Sequence, residues 1–156
     1  MTVKEKLEEY DLFDQAIIRH GMLECIRDYE VIGYISCLNF DLEVQFIFKG
    51  CVKVGYNVKV APECYSMDDR LLDLERQEEP DYPLGFIWGA NHAIVYPGWS
   101  LKHDTDELKQ LEKIYGLKFY DICFDTNAYD LLITFHDVET TEVKRIEKNN
   151  ALKYQL

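Results

Sequence analysis

Serine is scarce in this chain, with only Ser36, Ser66 and Ser100, and none sits in a G-x-S-x-G elbow, so serine-hydrolase chemistry has no support. Glycine-rich phosphate loops of the G-x-G-x-x-G or G-x-x-x-x-G-K-[ST] type are absent, which removes those nucleotide cradles. The four histidines (His20, His92, His103 and His136) are far apart and show no H-E-x-x-H spacing. The five cysteines (Cys25, Cys37, Cys51, Cys64 and Cys123) are odd in number and lack a C-x-x-C pair, so neither a disulfide framework nor a zinc ribbon is signalled. No metal and no cofactor is therefore expected. No run approaches the ~18–20 apolar residues of a membrane helix. The mixed-charge start, Met-Thr-Val-Lys-Glu-Lys, has no apolar secretory core, so a soluble cytoplasmic protein is expected. Basic residues are also few: 17 Lys and Arg against 29 Asp and Glu give a net charge of −12. That charge repels phosphate, which counts against nucleic acid and anionic membranes and favours a basic protein partner.

What is present suffices for a folded domain. At 156 residues a single core removes ~68–70% of the unfolded surface from water, and 47% hydrophobic residues lie well within the globular range. Thr2 and Glu5 have capping-box spacing, and Val3, Leu7, Tyr10, Phe13 and Ile17 recur at helical steps. This predicts an amphipathic helix closed at His20-Gly21. From Tyr29 the period becomes two, through Val31 to Leu38, then Leu42, Val44, Phe46 and Phe48, then Val52, Val54, Tyr56, Val58 and Val60. Short connections predict a three-stranded antiparallel meander with one buried face. Ser66 opens a short helix whose acids, Asp68, Asp69, Asp73, Glu75, Glu78 and Glu79, form either a solvated face or a landing site for a basic partner. A strand is expected over Leu84 to Tyr96, and a helix from Asp104 with Leu108, Leu111, Ile114 and Tyr115 inward, closed by Gly116. Strands at Leu117 to Phe124 and Leu131 to Val138 flank the turn Asp125-Thr126-Asn127, and Val143 to Ile146 adds an edge strand. The expected fold is α+β: an antiparallel sheet of about six or seven strands, two main helices on one face and a short acidic helix. Residues 1–146 form one domain in this reading, and 147–156 a polar tail. An exposed edge strand would also allow a homo-oligomer.

Three clusters combine charge or amide groups with aromatics. Arg19-His20-Gly21 and Arg27-Asp28-Tyr29 supply either a structural ion pair or an Arg fork aimed at a carboxylate or phosphate. In a second cluster that runs on to Trp99, Trp88 and Tyr96 carry polar handles that need partners where buried, and Gly89 suggests a bulge. Asn127, His136 and Asp137 flank the last long strand, where adjacent His and Asp point to opposite faces and so make a poor dyad.

The chain resembles the YxiG-like family of bacterial proteins, through FDQAIIRHG at 13–21, RDYEV at 27–31, GFIWGANHAIVYPG at 85–98 and DTNAYDLLITFHDV at 125–138. It departs from that pattern at Cys25 and at Asn91-His92. The resemblance implies no particular activity. In size and acidity it implies a likeness to small proteins encoded beside contact-dependent toxins, which favours an immunity-like binder. The leading reading is thus a non-enzymatic acidic binding protein, an immunity or antitoxin-like partner of a basic protein, with Trp88, Tyr96 and Trp99 as anchors. Its rival is a small-molecule-binding or hydrolytic cleft built from Arg27, Asp28, Trp88, Asn127 and His136.

Overall fold

The computed structural model describes residues 1–24, 27–58 and 92–148. A helix α1 (Val3–Glu9) is followed by strands β1 (Ala16–Met22), β2 (Tyr29–Ser36), β3 (Phe40–Lys49), β4 (Lys53–Val58), β5 (Ala93–Ile94) and β6 (Gly98–Lys102). Helix α2 (Asp106–Tyr115) then leads to β7 (Tyr120–Asp125), β8 (Tyr129–Phe135) and β9 (Asp137–Glu147). The α+β expectation fails: 55% of the described residues are strand and 15% helix, in two antiparallel sheets rather than one. One sheet has the order β5-β1-β2-β3-β9 and the other β4-β8-β7-β6.

Three local readings account for the difference. The capping box at Thr2 and Glu5 forms as expected, but the helix ends at Tyr10. The Asp11 carboxylate accepts from the Phe13 N–H in an Asx turn, and Asp14 takes a positive φ of 58°. The β-branched pair Ile17-Ile18 then enters β1, where Arg19 faces Ile32 and Gly21 faces Glu30 across the ladder. Gly21 is thus a strand residue and caps no helix. Leu12, fully buried, lies over β2 in the space that a Cβ on Gly33 would occupy.

The meander also fails at its third strand. β2 and β3 pair from Tyr29↔Phe48 to Ser36↔Asp41, with Leu42, Val44, Phe46 and Phe48 inward as their alternation predicts. At Gly50 the chain turns with φ 62° and crosses to the other sheet, so β4 pairs with β8 and not with β3. Val52, Val54, Tyr56 and Val58 stay between 37% and 58% exposed on that edge, contrary to a buried third strand. The strand expected over Leu131 to Val138 likewise breaks at His136, where the chain returns to the first sheet as β9. The two crossings touch: the His136 N–H donates to the Lys49 carbonyl, and the Val52 N–H to that of Thr134.

The inner faces meet in one core. Phe48 from the first sheet packs edge-on against Phe124 and Phe135 from the second, with ring centroids 6.1 and 4.8 Å away. Val31, Val44, Ile122, Leu131 and Ile133 complete its centre, all fully buried. α2 closes at Gly116 in the left-handed conformation as expected, but it opens one residue later than the expected Asp104, with Thr105 as N-cap and its hydroxyl accepting from the Leu108 N–H. Its expected inner face does not form: only Leu108 is buried, whereas Ile114 and Tyr115 are exposed. Lys148, placed in the polar tail by composition, ion-pairs with Asp41 at 3.3 Å.

Candidate functional site

The candidate residues are distributed over three regions. The corner where the chain changes sheets holds Arg27, Asp28, His136 and Asp137. The Arg27 carbonyl accepts from the Cys51 N–H at 2.6 Å. The Asp28 carboxylate accepts from the Gly50 N–H at 3.3 Å and ion-pairs with Lys49 at 3.2 Å. His136 Nδ1 lies 2.8 Å from the Lys118 carbonyl, so this nitrogen carries the proton, and Asp137 pairs with Lys6 of α1 at 3.0 Å. Partial burial pushes the Asp137 carboxyl up, but the Lys6 and Val138 hydrogen bonds outweigh it and hold the group below the ordinary carboxylate range. These contacts fasten the corner.

At the β1 edge, Arg19 is exposed and 3.5 Å from Glu30, while His20 turns inward. His20 Nδ1 lies 2.6 Å from the Tyr29 hydroxyl, and its ring packs against Tyr56 and Tyr129 at 5.3 and 5.2 Å. Burial lowers the imidazole's pKa and raises those of Tyr29 and Tyr129, so these three groups are held in their uncharged forms at neutral pH. The three tyrosines were not anticipated as a group; their signal is the inward parity of Tyr29, Tyr56 and Tyr129 on strands from two different sheets.

The third region is the end of the sandwich formed by the loop before β1 and the β5–β6 connection. Tyr96 is 60% and Phe13 50% exposed, and their rings lie 6.4 Å apart. Trp99 is partly buried, and its Nε1–H donates to the Asp11 carboxylate at 2.8 Å. Beside Tyr96 is a cavity of about 470 Å³ whose described lining is Asp14, Ile94, Tyr96 and Asn127. Asn127 supports this wall: its Oδ1 accepts from the Ile94 N–H at 2.9 Å, and its own N–H donates to the Ile94 carbonyl. Phe13, Asp11 and Asp14 were hidden by reading this stretch as helix. The D-x-F spacing of an Asx turn is the signal that would have found them.

The proposed five-residue cleft is not assembled. Asn127 and His136 sit beyond opposite ends of β8, with roughly 20 Å of extended strand between them, far outside hydrogen-bond reach of one substrate. Trp88 and the acids Asp68, Asp69, Asp73, Glu75, Glu78 and Glu79 lie outside the described residues. Among the described residues no group of three or more His, Cys, Asp or Glu is arranged to hold a metal, and no helix is long and apolar enough to cross a membrane.

The family model described as YxiG-like protein matches residues 1–151. The chain belongs to the YxiG-like protein family. No curated protein matches it. Of the YxiG-like motifs noted in the sequence, GFIWGANHAIVYPG lies outside the described residues over 85–91, and the other three fall on the regions just described. FDQAIIRHG forms the loop before β1 and β1 itself, and RDYEV the corner and the start of β2. DTNAYDLLITFHDV runs from the β7–β8 turn to the second sheet crossing. Within it Thr126 is fully buried; its hydroxyl donates to the Tyr129 carbonyl and accepts from the Ala128 and Tyr129 N–H groups. The TN element of this YxiG-like chain is therefore a turn-building device.

Proposed function

We propose that this YxiG-like chain is a non-enzymatic binding protein of the cytoplasm that engages a basic protein, in the manner of an immunity or antitoxin partner. The observation that carries the reading is the exposed Phe13–Tyr96 pair set among carboxylates on a chain of net charge −12. Exposed aromatics are the side chains that most often anchor interfaces, and complementary charge accelerates encounter and selects a basic partner. The acids Asp68, Asp69, Asp73, Glu75, Glu78 and Glu79 contribute to that net charge. The rival small-molecule cleft loses its support with Asn127 and His136 at opposite ends of β8.

The test is capture by the purified chain from lysates and secretomes of competing bacterial strains. Retention of a basic protein, weakened by salt and by Phe13→Ala with Tyr96→Ala, is the expected result. If nothing basic is retained at low ionic strength, the reading fails.

A further inference from the structure

We infer that the cavity beside Tyr96 receives an arginine side chain of the partner, its guanidinium stacked on the Tyr96 ring and paired with the Asp14 carboxylate. This deepens the basic-partner reading and rests on it. Four observations lead here. Asp14 is exposed, and among the described residues no cation lies within ion-pair distance of its carboxylate. By contrast, Asp11 is already committed to the Phe13 N–H and to Trp99. The Asp14 backbone is fixed by its N–H donating to the Val95 carbonyl at 2.7 Å, so the carboxylate is presented at the cavity wall without a search over backbone states. Tyr96 offers a ring that is 60% exposed, and Ile94 gives the wall an apolar stretch for the methylene stem.

The choice of arginine over lysine follows from shape. A guanidinium is planar, weakly hydrated and able to stack on an aromatic face while its N–H fork meets a carboxylate; an ammonium is a strongly hydrated point charge that can do only one of these well. An anionic or purely apolar occupant would leave the Asp14 charge either repelled or desolvated without compensation. The charge of the whole chain pulls in the same direction.

The experiment is an amide and side-chain NMR titration of the full chain with N-acetyl-arginine amide. The citrulline analogue, which keeps the length and planarity but has no charge, serves as the control, alongside the lysine counterpart. Saturable shifts centred on Phe13, Asp14 and Tyr96 are expected, weaker for lysine and absent for citrulline. Asp14→Asn and Tyr96→Leu should each weaken binding at least fivefold, and Tyr96→Phe should retain it. Asp14→Asn replaces an exposed residue by one equally at home at positive φ, so it reports on binding even where Tyr96→Leu perturbs the fold. Shifts scattered over the acidic surface, equal binding of citrulline, or an unchanged Asp14→Asn titration overturn the inference. Capture of a basic protein that is indifferent to Asp14→Asn overturns it while leaving the function above intact. Saturable arginine binding with no basic partner captured does the reverse.

Discussion

Gly50→Ala tests the sheet crossing that separates this fold from the one its sequence pattern suggests. Gly50 has φ 62°, and a Cβ built there would stand 3.2 Å from His136 Cβ. The left-handed conformation costs an alanine roughly 1–2 kcal/mol. The neighbour is no flexible tip: His136 Cβ is fixed to a backbone whose N–H donates to the Lys49 carbonyl at 2.8 Å, so relief requires the two crossings to move apart. The entropy that alanine removes from the unfolded chain offsets roughly 0.4–1 kcal/mol only where the native conformation suits it, which is not so here. A net loss of about 2 kcal/mol is expected. With a urea m-value of roughly 2 kcal/mol/M, the midpoint should fall by about 1 M, read from Trp fluorescence and far-UV dichroism. Gly21→Ala is the internal control. Gly21 is in β1 with nothing within 4 Å of its added Cβ and no positive φ, so its midpoint should stay within the range of ordinary surface substitutions, about 0.5 kcal/mol. A helix closed at Gly21 would demand the opposite ranking. Equal midpoints for wild type and Gly50→Ala, or a larger loss at Gly21 than at Gly50, would refute the argument.

Thr126→Ala removes a fully buried hydroxyl that serves three backbone groups, and should cost about 2 kcal/mol, with Thr126→Ser recovering most of it; chemical denaturation of the three proteins measures this. His20 sets a pH dependence. Burial among Tyr29, Tyr56 and Tyr129 holds its folded pKa below the unfolded 6.5, so as pH falls the unfolded chain takes up the proton first. Stability should therefore be intact above the unfolded pKa and decline as pH falls from about 7 towards 5, with His20→Gln flattening that decline; parallel urea midpoints of wild type and variant across the window would count against it.

How much of this was legible in the sequence depends on how local each cause is. The capping box at Thr2, the Gly116 cap and the alternation of Leu42, Val44, Phe46 and Phe48 involve residues a few positions apart, and all three are present. The alternation of Val52, Val54, Tyr56 and Val58 was equally clean, yet it fixes only which side chains share a face. Which strand they pair with depends on Gly50, whose turn leads to a partner more than 70 residues away in sequence. Phe13 to His20 failed for a different reason. Spacings of three and four place residues on one helical face, but Ile17 and His20 are also brought to one face of a strand by the irregularity between Ile17 and Arg19 in the β1–β2 ladder. A bulge shifts parity by one, so a bulged strand can imitate the helical period. The same stretch then conceals the candidate site, since an Asp-x-Phe read as helix interior is not examined as a turn. Asp11 and Trp99 are 88 positions apart and meet only because the loop before β1 and the β5–β6 connection close the same end of the sandwich. The aromatic side chains were individually visible. Their assembly with Asp14 into one surface follows from the β5–β6 connection, which passes from the first sheet to the second at the end of β8 away from Gly50, so substitutions at Gly50 and at Asp14 probe two separate links, the first in folding and the second in the proposed recognition.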